Sequence, residues 1–248
     1  MSRKPLRIAT WNIASNRNYD AVAAKLAELD VDLCALQEVA LDPAIGLPVL
    51  FDRGERQASG YCWYFAPALM PAEVNGGTGQ YFGLALASRI PLSRTAAFQL
   101  GPVGTGSVVH VENEPRILQV AALPLQRPVF VGNTHLATAG DWELSAMRRM
   151  QAGRIAGMLG PLARQGTLIL CGDFNAGPSS SDLAAIRETL PWCYSSDRGT
   201  FGDEYGRPPI DFFCSSVALD VNISVFPSDG LSDHSIVVAT LNEIASGA

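Results

Sequence analysis

The chain has 248 residues, of which 48% are hydrophobic and 17% are charged. We therefore expect one large domain, spanning residues 1–248, with a sizeable core. The formal net charge is −6, and proteins that grip long nucleic acids over their whole surface usually carry the opposite sign. The charge thus argues against tight, non-specific DNA binding, but not against a small phosphate substrate held by a metal.

The cysteines and the apolar runs indicate the cellular compartment in which we expect the protein. The five cysteines are Cys34, Cys62, Cys171, Cys193 and Cys214. Their number is odd and none forms a C-x-x-C pair, so neither a disulfide framework nor a zinc site is predicted. No apolar run approaches the ~18 residues of a membrane-spanning helix. The basic start of the chain leads straight into a strand pattern, and we expect a cytoplasmic protein.

The first part of the chain predicts a strand, a helix and a second strand. Residues 6–13 alternate apolar and polar positions. A helix of about three turns is indicated by apolar residues at helical spacing, Val22, Leu26 and Leu29. The strand over 31–36 then leads to Glu38, and Asn12 ends the first strand. Both side chains lie where α/β sheets bind ligands, although a turn residue and a solvated carboxylate are the alternatives.

The middle of the chain predicts mainly short strands. Apolar segments indicate strands at 61–65, 82–88 and 96–100, and an antiparallel pair formed by 107–111 and 116–123. Long loops are expected at 42–60 and 71–80. Arg116 opens its strand and could bind a substrate anion, or could pair with Glu112 or Glu114.

Further strands and a helix follow. Residues 129–136 predict a strand that ends near His135, a residue that could be structural or catalytic. The pattern over 142–159 predicts an amphipathic helix with four apolar side chains inward, Leu144, Met147, Ile155 and Leu159. Its arginines, Arg148, Arg149 and Arg154, are expected on a solvated face. Residues 191–209 are interpreted as a loop.

Asp173 and Asn175 follow the apolar segment Leu168–Leu170, which runs into Gly172. Because side chains alternate on a strand, the two polar groups can point the same way. The carboxylate could accept a proton or hold a metal, and the amide could donate to a phosphate oxygen. The alternative is a turn in which both satisfy their own backbone.

Two polar positions near the end of the chain also indicate a site. Asp211 lies between apolar residues and needs a partner, because an unpaired buried charge is costly. Asp233 and His234 precede the final strand, which is expected at a sheet edge. They could cap a turn, or supply a metal ligand and a proton donor together.

Six short motifs occur in a characteristic order along almost the whole chain. They are Thr10–Trp11–Asn12, Leu36–Gln37–Glu38, Asn133–Thr134–His135–Leu136, Gly172–Asp173–Phe174–Asn175–Ala176, Ile210–Asp211–Phe212 and Ser232–Asp233–His234. This order resembles the endonuclease/exonuclease/phosphatase superfamily, which includes DNase I-like nucleases, sphingomyelinases and inositol-phosphate phosphatases. The resemblance implies a four-layer α/β sandwich, with two mixed β-sheets packed face to face and helices outside.

The resemblance also implies hydrolysis of a phosphoester that depends on Mg²⁺ or Mn²⁺. Glu38 would be the principal metal ligand, assisted by Asn12 and Asp233, since hard oxygen ligands suit Mg²⁺. Some superfamily nucleases carry an acidic residue at the position of Ala14. Its absence here favours a single metal at Glu38.

Catalytic roles follow from the same resemblance. Asp173 would orient and deprotonate the attacking water. Asn175 and His135 would donate hydrogen bonds to the nonbridging phosphate oxygens. His234, held by Asp211, would stabilise the charge that grows on phosphorus.

Three functions stay open from the sequence. The first is a phosphodiesterase acting on a nucleic acid, a nucleotide or a lipid headgroup, with no obligatory protein partner. The second is a phosphomonoesterase acting on a small or lipid-derived phosphate. The third is a catalytically silent binding module on the same scaffold.

Overall fold

A computed structural model describes residues 4–41, 60–69, 81–101, 114–125, 127–139, 144–202 and 208–243. Within these ranges the strands form two six-stranded sheets. Sheet 1 has the order β11 (Asp220–Phe226), β12 (Ile236–Glu243), β1 (Leu6–Asn12), β2 (Leu33–Leu41), β4 (Tyr81–Ser88) and β3 (Cys62–Leu69). Sheet 2 has the order β5 (Arg94–Gln99), β6 (Ile117–Leu123), β7 (Val129–His135), β8 (Thr167–Asp173), β10 (Asp211–Ser215) and β9 (Trp192–Tyr194).

Helices cover the outer faces of the sheets. Helix α1 (Tyr19–Glu28) packs its apolar side on sheet 1, whereas α2 (Ala146–Ala163) and α3 (Ala184–Thr189) pack on sheet 2. A third apolar cluster fills the space between the sheets. The four-layer α/β sandwich expected from the sequence is confirmed. No helix in the described ranges is long and apolar enough to cross a membrane.

Two parallel strand pairs bring the motif residues together. β1 runs parallel to β2, and β7 runs parallel to β8, while the other pairs are antiparallel. In register, Asn12 lies opposite Gln37 and His135 lies opposite Asp173. The carboxyl ends of parallel strands share one edge of a sheet, so each sheet contributes a polar edge to the same end of the sandwich.

The structure corrects several details of the sequence interpretation. β9 lies inside the segment that was interpreted as a loop. β6 pairs with β5 and β7, while residues 107–111 lie outside the described residues. β12, expected at an edge, lies between β11 and β1. Leu144 precedes α2 and is 63% exposed, because it lies outside the helical repeat that packs on sheet 2.

Arg148 is not on a solvated face, contrary to the amphipathic prediction. Its side chain is fully buried, and Nη2 and Nε lie 2.9 and 3.1 Å from Asp182 Oδ2. Asp182 is also buried and accepts a hydrogen bond from the backbone N–H of Ser145. Arg149 reaches the other oxygen of Asp182 from the surface, at 3.2 Å. The buried pair therefore ties the start of α2 to the turn that precedes α3, a contact that helical periodicity does not reveal.

We expect Asp182→Ala to destabilise the protein by about 3–5 kcal/mol, because it removes the buried carboxylate that Arg148 contacts through Nη2 and Nε. Arg149→Ala is the matched control, since it removes an exposed partner of the same carboxylate and should cost less than about 1 kcal/mol. Urea unfolding followed by circular dichroism measures both. Equal losses in the two variants would show that the buried pair does not hold α2 in place.

Candidate active site

Asn12, Glu38 and Asp173 form a hydrogen-bonded cluster where the two sheets meet. Asn12 Nδ2 donates to Glu38 Oε1 at 3.0 Å and to Asp173 Oδ2 at 3.1 Å. The Asn12 side-chain oxygen accepts from the backbone N–H of Ala14, which fixes the amide. Asn12 and Asp173 are buried, and Glu38 is half-buried. One amide thus holds two carboxylates close together, one from each sheet.

A β-bulge turns Glu38 toward this cluster. The pairing of β2 with β4 shifts register between Leu36 and Val39, and Glu38 has a positive φ of 53°. Few residues other than glycine adopt this conformation, and it recurs at functional sites. The bulge lets Gln37 point between the sheets, where Nε2 donates to Asn133 Oδ1 at 2.8 Å, while Glu38 faces the edge.

Gly172 allows β8 to approach β7 closely enough to place Asp173. Its φ is +149°, and a Cβ atom at this position would lie 1.9 Å from the carbonyl oxygen of Thr134. One residue later, Asp173 Oδ1 accepts from the backbone N–H of Asn175 at 2.9 Å. Asn175 Nδ2 donates to the carbonyl of Leu136 at 3.0 Å. Asn175 therefore stabilises the loop after β8, and its amide has a second N–H that can serve a ligand.

Both histidines of the predicted site face Asp173. Asp173 Oδ2 lies 3.5 Å from His135 Nε2 and 3.8 Å from His234 Nε2. Burial and the charge of Asp211 raise the pKa of Asp173, and the opposing effects of His234, Asn12 and the Asn175 amide leave it at about 7. A carboxylate with a pKa near neutrality is suited to accept a proton in catalysis.

Arg116 holds His135 in one tautomer. Arg116 Nη1 lies 2.7 Å from His135 Nδ1, and because a guanidinium can only donate, Nδ1 must be the acceptor. The ring proton is then on Nε2, which faces Asp173. Burial lowers the pKa of His135 well below its ordinary value, and the charges of Arg116 and His234 lower it further. His135 is therefore a neutral hydrogen-bond donor.

Glu114 pairs with Arg116, and this is one of the two pairings that the sequence left open. Its Oε2 lies 2.7 Å from Arg116 Nη2, and Arg116 is only 5% exposed. Burial raises the pKa of Glu114, and Arg116 opposes this shift. The side chain of Arg116 is thus engaged by Glu114 and His135, so we interpret it as a positioning residue; substrate binding by Arg116 stays a prediction.

His234 has the opposite electrostatic setting. Its Nδ1 lies 2.9 Å from Asp211 Oδ2, the same oxygen that accepts from Thr200 Oγ1 at 2.6 Å. Burial lowers the pKa of His234, but the charge and hydrogen bond of Asp211, with the charges of Asp173 and Asp233, outweigh it and raise the pKa to about 9. His234 is therefore a cation at neutral pH.

Neighbouring residues that the sequence interpretation did not assign hold His234 in place. Ser232 Oγ accepts from the backbone N–H of His234 and donates to the carbonyl of Asn12 at 2.6 Å. The ring of Phe201 packs on the imidazole, with centroids 4.8 Å apart. Ser232 lies within the Ser–Asp–His motif, so its position beside His234 in the sequence could have predicted that it contacts this residue. Thr200 and Phe201 lie in the segment interpreted as a loop, where no periodicity marked them.

The oxygen donors beside Asn12 fit a hard divalent cation. Glu38 Oε1 and Asp173 Oδ2 converge on Asn12 Nδ2, and carboxylate oxygens are ligands of Mg²⁺ and Mn²⁺. The Asn12 oxygen accepts from the Ala14 N–H, so Asn12 as a metal ligand stays a prediction. Asp173, Asp211 and His234 form a second group, with ligand atoms within 4.8 Å of one another. A metal at this second group would have to displace a proton from His234, whose pKa is raised to about 9 against the effect of burial, chiefly by Asp211, so the position at Glu38 is the better candidate. Asp233 is exposed, and its place among the ligands stays a prediction.

Comparison with known proteins shows the family of the chain and the fold that it shares with solved structures. A family model described as the endonuclease/exonuclease/phosphatase family matches residues 9–234. An endonuclease/exonuclease/phosphatase from Beutenbergia cavernae is 23% identical, with a TM-score of 0.73 over 96% of this chain and 72% of that chain. The human Nocturnin catalytic domain with bound sulfate anion is 21% identical, with a TM-score of 0.68 over 96% and 93%. A mannosyl-6-phosphatase from Bacteroides thetaiotaomicron is 18% identical, with a TM-score of 0.65 over 95% and 99%. No curated protein matches the chain.

We expect Arg116→Met to release His135 from its single tautomer and to raise its pKa, because the variant removes a hydrogen bond and a repelling charge. The chain has three histidines, so long-range ¹H–¹⁵N spectra can resolve each ring. Arg154→Met, at an exposed position of α2, is the control and should leave the ring signals unchanged. If Nδ1 of His135 stays the unprotonated nitrogen in Arg116→Met with the same pKa, Arg116 does not set the tautomer.

Asp211→Asn should lower the pKa of His234 from about 9 to near the ordinary 6.5 or below, because burial lowers this pKa and the variant removes the Asp211 charge that opposes burial. The raised pKa means that protonated His234 stabilises the fold at pH below about 6.5, and that this contribution is lost as the pH rises through 9. NMR titration without added metal measures the pKa, and Asp220→Asn on the exposed start of β11 is the control. A His234 pKa still near 9 in Asp211→Asn would contradict the pairing.

Proposed function

The chain belongs to the endonuclease/exonuclease/phosphatase family, whose members hydrolyse phosphate esters, and we propose that it is a Mg²⁺-dependent phosphodiesterase that works by in-line attack of water. One observation carries the proposal. Asp173 Oδ2 lies at the centre of three nitrogen donors, Asn12 Nδ2, His135 Nε2 and His234 Nε2, at 3.1, 3.5 and 3.8 Å. A base is thus surrounded by the donors that a phosphate group requires.

Asp173 is the general base of this proposal. It accepts a proton from the water whose oxygen attacks phosphorus, while the bond to the leaving oxygen breaks on the opposite side. Its pKa of about 7 supports the role, because a base with a pKa near the working pH combines availability with basicity. The backbone N–H of Asn175 fixes the other carboxylate oxygen and keeps Oδ2 directed at the site.

The two histidines act on the phosphate oxygens in different ways. His234 provides a fixed positive charge that is stabilising mainly when negative charge grows in the transition state. His135 provides a neutral N–H, and Asn175 a second amide N–H, for the nonbridging oxygens. Mg²⁺ held by Glu38 with Asn12 and Asp233 would polarise a phosphoryl oxygen as a Lewis acid.

The charge balance of the site favours a diester over a monoester. Five carboxylates, those of Glu38, Glu114, Asp173, Asp211 and Asp233, lie in or beside the site, against the cationic side chains of Arg116 and His234. The guanidinium of Arg116 already faces Glu114. A diester carries one negative charge and a monoester up to two, so the diester meets less repulsion. The net charge of −6 likewise favours a nucleotide or a lipid headgroup over a long nucleic acid.

Hydrolysis of bis-p-nitrophenyl phosphate and of p-nitrophenyl phosphate, with Mg²⁺ or Mn²⁺ and with chelator, tests the proposal. We expect metal-dependent turnover with a higher kcat/KM on the diester. A higher kcat/KM on the monoester would replace the diesterase with a phosphomonoesterase. Turnover of neither compound, extended to a panel of natural phosphate esters, would favour a silent binding module.

Two variants separate the metal from the base. Glu38→Gln should raise the Mg²⁺ concentration for half-maximal activity, because it removes the ligand charge. Asp173→Asn should lower kcat by about 10²–10⁴, with a much smaller effect on Mg²⁺ half-saturation. Glu188→Gln, on α3 away from the site, is the control for both. If Asp173→Asn moves the Mg²⁺ half-saturation as far as Glu38→Gln does, Asp173 is a metal ligand and the base is another group.

A further inference from the structure

Cys193 and Cys214 face each other across two neighbouring antiparallel strands. They are register partners in β9 and β10, and their sulfur atoms lie 2.8 Å apart. A disulfide requires a sulfur–sulfur bond of about 2.05 Å between residues whose Cβ vectors do not point apart. Register partners on neighbouring strands project to the same face of the sheet, so only a short approach of the two sulfur atoms is needed to close the bond.

The two thiols differ in exposure and in pKa, so that one can be oxidised first and the other can then react with it. Cys193 is half-buried on the edge strand β9, whereas Cys214 is buried beneath it. The hydrogen bond from Cys214 and the charge of Arg187 lower the pKa of Cys193 against the effect of burial. The hydrogen bond with Cys193 and burial raise the pKa of Cys214. Cys193 is thus the thiol that a solvent oxidant meets first, and its lowered pKa gives it the larger fraction of reactive thiolate.

We propose that Cys193 and Cys214 form a redox-active dithiol that hydrogen peroxide converts to an intrachain disulfide. The Cys193 thiolate attacks one peroxide oxygen, the O–O bond breaks, and Cys193 becomes a sulfenic acid while hydroxide leaves. Cys214 then attacks the sulfenic sulfur, the S–O bond breaks, and the departing hydroxide takes the Cys214 proton as water. Two thiols lose two electrons in total, and the peroxide is reduced to two waters.

The disulfide would close the chain segment that holds His234 in place. Thr200 and Phe201 lie between the two cysteines in the sequence, and they contact Asp211 and His234 respectively. Cys214 is also three residues after Asp211 on the same strand. Oxidation therefore joins both ends of the segment that carries Asp211 and the two residues Thr200 and Phe201, which hold the Asp211–His234 pair from one side, and it should make this segment harder to unfold.

The test uses the full-length protein, treated with hydrogen peroxide, blocked with N-ethylmaleimide and mapped by mass spectrometry. We expect one peptide pair linked through Cys193 and Cys214, with the other three of the five cysteines alkylated after denaturation. The thermal unfolding temperature should rise by roughly 5–10 °C and return after dithiothreitol. Cys193→Ser should abolish both effects, while Cys62→Ser, in sheet 1, should keep both.

Several results would overturn the proposal. One is a Cys193 that proceeds to sulfinic acid with no linked peptide, and another is a disulfide formed by other cysteines. A linked peptide without a rise in unfolding temperature would refute the effect on the His234 segment. The wild-type measurement with and without dithiothreitol needs no variant, so a Cys193→Ser protein that folds poorly does not affect the outcome.

Discussion

The hydrogen bond between Asn12 Nδ2 and Asp173 Oδ2, 3.1 Å long, is the contact on which the candidate site depends. Asn12 ends a strand of sheet 1 and Asp173 ends a strand of sheet 2. Each sheet alone carries only part of the polar cluster, so the proposed chemistry needs both sheets. The cluster exists because the two sheets pack with their strand ends in the same direction. A small slide of one sheet on the other would separate Asp173, the proposed base, from Asn12 and Glu38.

Buried amides prevent such a slide. Asn133 of sheet 2 donates to the carbonyls of Leu36 and Ala85 in sheet 1, at 3.1 and 3.0 Å, and accepts from Gln37 at 2.8 Å. Gln119 of sheet 2 donates to the carbonyl of Tyr64 in sheet 1. Apolar packing between two sheets tolerates small shifts, whereas these directional bonds are satisfied in one alignment only. The amides thus convert a non-directional contact into a fixed geometry for the site above them.

The six motifs predicted the sandwich and the residues that meet at its edge through their resemblance to the endonuclease/exonuclease/phosphatase superfamily. Asp211 needed a partner on physical grounds, and His234 supplies it. Other contacts were not predictable, because they depend on tertiary packing. Arg148 has the spacing of an exposed residue but is buried, where it contacts Asp182 and the carbonyl of Ala137. Thr200 reaches Asp211 from a segment without periodicity, and the bulge that turns Glu38 appears only in the pairing of β2 with β4.

The two histidines show how the surrounding residues give one residue type two different chemical states. In each histidine a neighbouring side chain contacts Nδ1, and Nε2 faces Asp173. The neighbour is Arg116 for His135 and Asp211 for His234. Arg116 can only donate, so it leaves His135 neutral, while Asp211 can only accept when ionised, so it keeps His234 protonated. Burial and Asp211 raise the pKa of Asp173, and the positive charge of His234 lowers it, which leaves this proposed base with a pKa of about 7. Two charges would lower it further, and the neutral state of His135 is therefore as necessary to the proposed chemistry as the charge of His234.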